Sequence, residues 1–166
     1  MAQSSDELVK REISDKVGSG RTDLTLRIFP SSSNKDQESF SAGGLTFGVD
    51  GVSYGSCDAV WLTMGLWIDG FDGQSYKVKP VLALEGTNAL NTGSSGNAQY
   101  QRFHHSLGAV RNGVVGVYYL RKGKDKVREE LHGMAVAAST MEGTAYIVTD
   151  DLSTVKNLLI NFDKPE

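Results

Sequence analysis

The chain has 166 residues, of which 39% are hydrophobic and 22% are charged, a composition typical of a folded domain rather than of a disordered or fibrous chain. Seventeen basic and twenty acidic side chains give a formal net charge of −3, so the surface as a whole does not attract polyanions. No apolar run reaches the ~20 residues needed to cross a bilayer. The polar N-terminal stretch predicts no secretory signal, and we expect a cytoplasmic protein without membrane contact. The single cysteine, Cys57, cannot form an intramolecular disulfide and is expected to be buried.

The first half of the chain predicts one helix followed by strands joined by tight turns. Ser4 and Glu7 match a capping box, and apolar residues then recur at helical spacing as far as Val17. Strands are predicted at residues 24–29, 58–64 and 76–85, and a hairpin at 45–54 with its turn at Asp50–Gly51.

The second half alternates helices with strands. Helices are predicted at 97–112, at 124–141 with Val127, Leu131, Met134 and Ala138 inward, and after a cap at Asp150 or Asp151; strands are predicted at 114–120 and 144–148. Short hairpins imply antiparallel neighbours, and helical crossovers imply parallel ones. We therefore expect one α/β domain, residues 1–166, with a mixed sheet and helices on both faces.

Two carboxylates occupy the ends of predicted core strands. Asp58 begins one strand, and Glu85 ends the apolar run 81–84. If these strands form a hairpin, the two acids are neighbours. A charge at such a position must be paired, solvated or bound to a cation, and oxygen ligands of this kind suit Mg²⁺. The alternative is that each carboxylate only marks a strand end in water.

The order of these elements resembles the PD-(D/E)xK nuclease superfamily, the fold of many type II restriction endonucleases. The matching pieces are Ser56–Asp58, Pro80–Thr87, the helix 97–112 and the strand 114–120. The resemblance implies a restriction-endonuclease-like fold, three layers α/β/α around a central mixed sheet. It covers a core of about residues 5–120, with 121–166 as an α/β extension.

The resemblance also implies the chemistry. Asp58 and Glu85 would ligate Mg²⁺, with Mn²⁺ as a substitute, and activate a water for attack on a phosphodiester. The first helix often adds an acid in this family, and Glu12 fits best because it borders the inward face. A solvated Glu12 on a charged helix is the alternative.

Thr87 stands where the family has its lysine, and a threonine supplies no positive charge. A residue of the crossover helix could replace that lysine, and we select Gln101 to orient the water. The other candidates on this helix are Gln99, Arg102, His104 and His105.

Two polar stretches are candidates for contacts with DNA. Asparagine, serine and basic side chains bind phosphates and base edges. The alternative is that these residues belong to an ordinary polar loop and to the solvated start of a helix. The predicted contacts are Asn88, Asn91, Ser94 and Ser95 in the stretch 88–97, Lys122 and Lys124 in the stretch 121–128, and Arg102 on the helix 97–112.

Three functions remain open at this point. The first is a Mg²⁺-dependent endonuclease of the restriction-enzyme type, or its catalytic domain or subunit, acting on double-stranded DNA as a homodimer or with a partner subunit. The second, favoured by Thr87, is a catalytically silent nuclease-like DNA-binding or assembly subunit. The third, a glycine-rich β-sandwich binding module, is opposed by the helices predicted after residue 96.

Overall fold

A computed structural model describes residues 5–28, 46–69, 75–87, 95–121 and 129–161 of the chain. The helices are α1 (Ser5–Lys16), α2 (Ser95–Arg111), α3 (Glu129–Glu142) and α4 (Leu152–Ile160). The strands are β1 (Thr25–Ile28), β2 (Thr46–Val49), β3 (Val52–Ser56), β4 (Ala59–Asp69), β5 (Ser75–Thr87), β6 (Val115–Leu120) and β7 (Tyr146–Thr149).

Five strands form one mixed sheet in the order β1-β4-β5-β6-β7. The pairs β1–β4 and β4–β5 are antiparallel, whereas β5–β6 and β6–β7 are parallel. The connection types read from the sequence are therefore confirmed, and so is an α/β architecture with a mixed sheet.

Helices cover both faces of this sheet. On one face, α1 and α4 pack around Trp61 and Leu84, and the Trp61 indole N–H donates to the Gly18 carbonyl oxygen at 2.8 Å, which holds the end of α1 to the sheet. On the other face, α2 and α3 pack around Phe103 and Tyr118. The sheet is thus the middle of three layers, and its central strands are buried on both sides.

The hairpin β2–β3 forms a second, two-stranded sheet against α2. Asp50 and Gly51 both have positive φ, 52° and 79°, as expected for a two-residue turn that matches the strand twist. Phe47 anchors the hairpin in a core cluster with Cys57, which is 2% exposed as predicted.

Some details differ from the sequence prediction. Met134 is 42% exposed rather than inward. The buried residues of α3 are instead Leu131, Ala135 and Ala138, so the helix is rotated to bury position 135 in place of 134. Asp151 caps α4, as one of the two alternatives predicted, and its carboxylate accepts from the Ser153 N–H. Ser4 and Val127 lie outside the described residues.

None of the helices within the described ranges combines the length and apolar character needed to span a bilayer.

The close packing of α2 on Gly116 of β6 leads to a stability prediction. A Cβ on Gly116 would lie 2.6 Å from the Ser106 carbonyl oxygen and from Val110 Cγ2, whereas a Cβ on Gly133 of α3 would meet nothing within 4 Å. We expect Gly116→Ala to lower the free energy of unfolding by about 2 kcal/mol through overpacking. The matched change Gly133→Ala should raise it by up to ~1 kcal/mol. Urea denaturation followed by circular dichroism measures both, and equal effects would contradict the packing described here.

Candidate active site

The register of β4 and β5 brings Asp58 and Glu85 together. Ala59 pairs with Leu84, so the next residues outward, Asp58 and Glu85, lie opposite each other across the antiparallel pair. Their side chains hydrogen-bond to each other. Strand alternation directs Glu85 to the face that α2 covers, and the contact with His105 described below agrees with this.

Glu85 of this pair is buried, and Asp58 is partly buried. Glu85 is 6% exposed, and Asp58 Oδ2 accepts a hydrogen bond from the Gly86 N–H at 2.9 Å. Burial, together with the hydrogen bond and the charge of Glu85, raises the pKa of Asp58 to about 9, although Gly86 and the charge of Lys10 act in the opposite direction. At neutral pH the pair therefore retains a proton.

His105 of α2 is the third member of the arrangement. Its Nδ1 hydrogen-bonds to Glu85 Oε2, and its side chain is 32% exposed. Burial lowers the pKa of His105, which an ionised Asp58 would raise, and the charge of Arg102 lowers it further. In a neutral ring Nδ1–H donates to Glu85, which leaves Nε2 as a hydrogen-bond acceptor.

An open groove of about 590 Å³ lies between β3 and α2, and His105 is one of the residues that line it. The ring of His104 stacks on Tyr54 with a centroid distance of 4.2 Å. Gly55, at φ +92°, lies so close to the His105 ring that any Cβ there would collide with it. The groove is lined by residues 53–55 of β3 and by Tyr100, Gln101, His104 and His105 of α2.

The other predicted site residues fall into two groups. Gln101 is exposed on the groove wall, and Arg102 is partly buried with its charge acting on His105. Thr87 is 6% exposed, two residues beyond Glu85 on the same strand. Ser95 begins α2, but its side chain is outside the described structure, as are the whole residues Asn88, Asn91, Ser94, Lys122 and Lys124.

Glu12 lies in a different cluster. Its carboxylate accepts hydrogen bonds from Arg121 Nε at 2.8 Å and from the Tyr119 hydroxyl at 3.1 Å. Burial alone would raise the pKa of Glu12, but these bonds lower it. Tyr119 packs with α1, on the face opposite His105. The structure thus does not bring Glu12 to Asp58 and Glu85, and among the residues described no three His, Cys, Asp or Glu side chains are grouped to hold a metal ion.

His105 is a site residue that sequence reasoning did not select, and the charge of Lys10 on α1, which was not selected either, acts on Asp58. His105 was one of several replacements considered on the crossover helix. Lys10 precedes the apolar stripe residue Ile13 by three positions, a spacing that places it beside the buried face of α1.

Comparison with protein-family models, with curated proteins and with solved structures gives no match to this chain. A function for this site must therefore be inferred from its residues and geometry.

The raised pKa of Asp58 predicts a stability that falls with rising pH. The unfolded chain loses this proton near the ordinary value of 3.8, whereas the folded chain keeps it up to about pH 9. The contribution to stability is complete below pH 3.8 and is progressively lost toward pH 9. Asp58→Asn still accepts from Gly86, can donate to Glu85 and does not titrate.

We expect the Asp58→Asn variant to melt at least ~3 °C above the wild type at pH 8, equivalent to about 1 kcal/mol in a domain of this size, with no difference near pH 4. Thermal melts at the two pH values test this. Asp15→Asn, at an exposed position of α1, is the control and should show no such pH dependence. A variant less stable than the wild type at pH 8 would show that Asp58 is not held protonated.

Proposed function

We propose that the chain is a Mg²⁺-dependent endonuclease that hydrolyses DNA phosphodiester bonds, of the restriction-enzyme type or the catalytic part of such an enzyme. The observation that carries the proposal is the hydrogen-bonded pair of Asp58 and Glu85. Two buried carboxyls in contact share a proton when nothing else neutralises them. A divalent cation offers the same neutralisation, and carboxylate oxygens are its preferred ligands.

The arrangement of elements supports this proposal. A helix, an antiparallel meander with the acids at β4 and β5, a crossover helix and a parallel strand follow one another. This is the order that the resemblance to PD-(D/E)xK nucleases implies. The helices on both faces of the mixed sheet agree with the three layers of that fold.

Each side chain then has a chemical task. Asp58 and Glu85 would hold the Mg²⁺, which when bound supplies charge neutralisation at the phosphate and acidifies a ligated water. The Gly86 N–H fixes the orientation of Asp58, and His105 fixes that of Glu85. Gln101, on the groove wall, is the residue we propose to orient the attacking water.

The substrate we propose is double-stranded DNA, cut by a homodimer or together with a partner subunit because a duplex has two strands. Arg102 on α2 supplies positive charge beside the pair, where it acts on His105. Such a local distribution matters more for phosphate binding than the net charge of −3.

A second function is favoured by Thr87. This residue is buried at the position where the resemblance implies a lysine, so no cation reaches the pair from β5 at that point. The corresponding proposal is a catalytically silent nuclease-like subunit that binds DNA or assembles with an active partner.

Cleavage of supercoiled plasmid with Mg²⁺ or Mn²⁺ separates the two functions. We expect the wild type to nick or cut, and Asp58→Asn and Glu85→Gln to lose at least ~100-fold of that activity, since even residues supporting a metal ligand contribute this much. Asp15→Asn, the same chemical change at an exposed site, should cut normally. Cleavage that survives both site variants would exclude this pair as the site, and binding of DNA without cleavage would favour the silent subunit.

The position of Glu12 generates a separate expectation. Because its carboxylate is bound by Arg121 and Tyr119, Glu12→Gln should leave cleavage and its Mg²⁺ requirement unchanged. The same variant should lower the melting temperature by about 3 °C, because Arg121 loses its charged partner. A higher Mg²⁺ requirement in plasmid cleavage would instead identify Glu12 as a ligand.

A further inference from the structure

Planar groups gather around Tyr54 at the groove between β3 and α2. The His104 ring is nearly parallel to the Tyr54 ring, at 11°, and the Arg111 guanidinium lies over Tyr54 at 5.7 Å from the ring centroid. His104 is exposed, and Tyr100, one helical turn before it, is 36% exposed. Flat side chains of this kind are platforms on which another planar ring stacks.

Polar groups lie beside these rings. Gln101, which follows Tyr100 on α2, is exposed in the groove. Its amide offers two donors and an acceptor. The Ser53 hydroxyl, on the β3 wall, accepts a hydrogen bond from the Gly55 N–H at 3.1 Å and keeps its own proton for another acceptor. A ligand that has both a flat face and a polar edge would use all of these groups.

The groove is also joined to the carboxyl pair. Its volume of about 590 Å³ falls within the roughly 300–1,000 Å³ of pockets that hold small ligands. His105 lines the groove and hydrogen-bonds to Glu85. A ligand in the groove would therefore be separated from the pair by the His105 side chain.

From these contacts we propose that the groove binds one unstacked nucleobase of the nucleic acid strand whose phosphate lies at the Asp58–Glu85 pair. The base stacks on His104 and Tyr100, and its edge contacts Gln101. This inference rests on the proposed nuclease function for the identity of the strand. A base outside the stack comes either from a single strand or from a duplex in which it is flipped out.

Photocrosslinking with 5-iodouracil tests the inference without requiring cleavage. The full chain is irradiated, in buffer without divalent cations, with an iodouracil-containing single strand or with the same strand in a duplex, and crosslinked peptides are mapped by mass spectrometry. We expect crosslinks at Tyr54, Tyr100 or His104. Crosslinks with the single strand alone identify that source, and crosslinks with the duplex identify a flipped base. Crosslinks confined to other surfaces, or none in either arm, overturn the proposal.

Binding affinity gives the second readout. In fluorescence anisotropy with the oligonucleotide that crosslinks, Tyr100→Leu and His104→Ala should each weaken binding about tenfold, the scale of one lost base–ring stack. His132→Ala on α3 is the matched control and should bind as the wild type does. Unchanged affinity in both groove variants, with normal plasmid cleavage, would overturn the groove and leave the nuclease proposal intact. Groove crosslinks in a protein that cuts no DNA would support the groove proposal and contradict the nuclease proposal.

Discussion

The contact between two carboxyl groups across β4 and β5 is the constraint around which the rest of the structure is arranged. Like charges cannot both be kept in a buried position, so Asp58 retains a proton, and the neighbouring groups are those that such a pair needs. The Gly86 N–H occupies one oxygen of Asp58, and His105 occupies one oxygen of Glu85. The apolar strand residues beside the pair supply the burial free energy that offsets its cost.

The two faces of the sheet differ in the polar groups that lie beside their apolar cores. On the face that α1 and α4 cover, Glu12 accepts hydrogen bonds from Arg121 and Tyr119 beside the apolar core. On the α2 face, the hairpin β2–β3 packs against α2, and the polar groups of the groove lie between β3 and this helix. Both faces therefore carry apolar cores, and the candidate-site side chains Glu85 and His105 lie on the α2 face beside one of them, with β5 contributing to both faces.

Local patterns were sufficient to predict most elements and the neighbourhood of Asp58 and Glu85. An Asp-Gly pair such as Asp50–Gly51 strongly favours a two-residue hairpin turn. Antiparallel pairing within a hairpin then determines which strand ends meet. Contacts that depend on how a helix is rotated over the sheet were not predictable in this way. Met134 was placed inward because its spacing from Leu131 is as good as that of Ala135, and only packing decides between them. The partner of Glu12 is 109 residues away in the chain, and no periodicity contains that information.

The absence of a side chain at Gly55 has a consequence for how the two parts of the site communicate. β3 lies against the ring of His105 there, and the imidazole is hydrogen-bonded to Glu85. A ligand in the groove that displaced this ring would therefore be thermodynamically linked to the state of the carboxyl pair, by a factor that is equal in both directions.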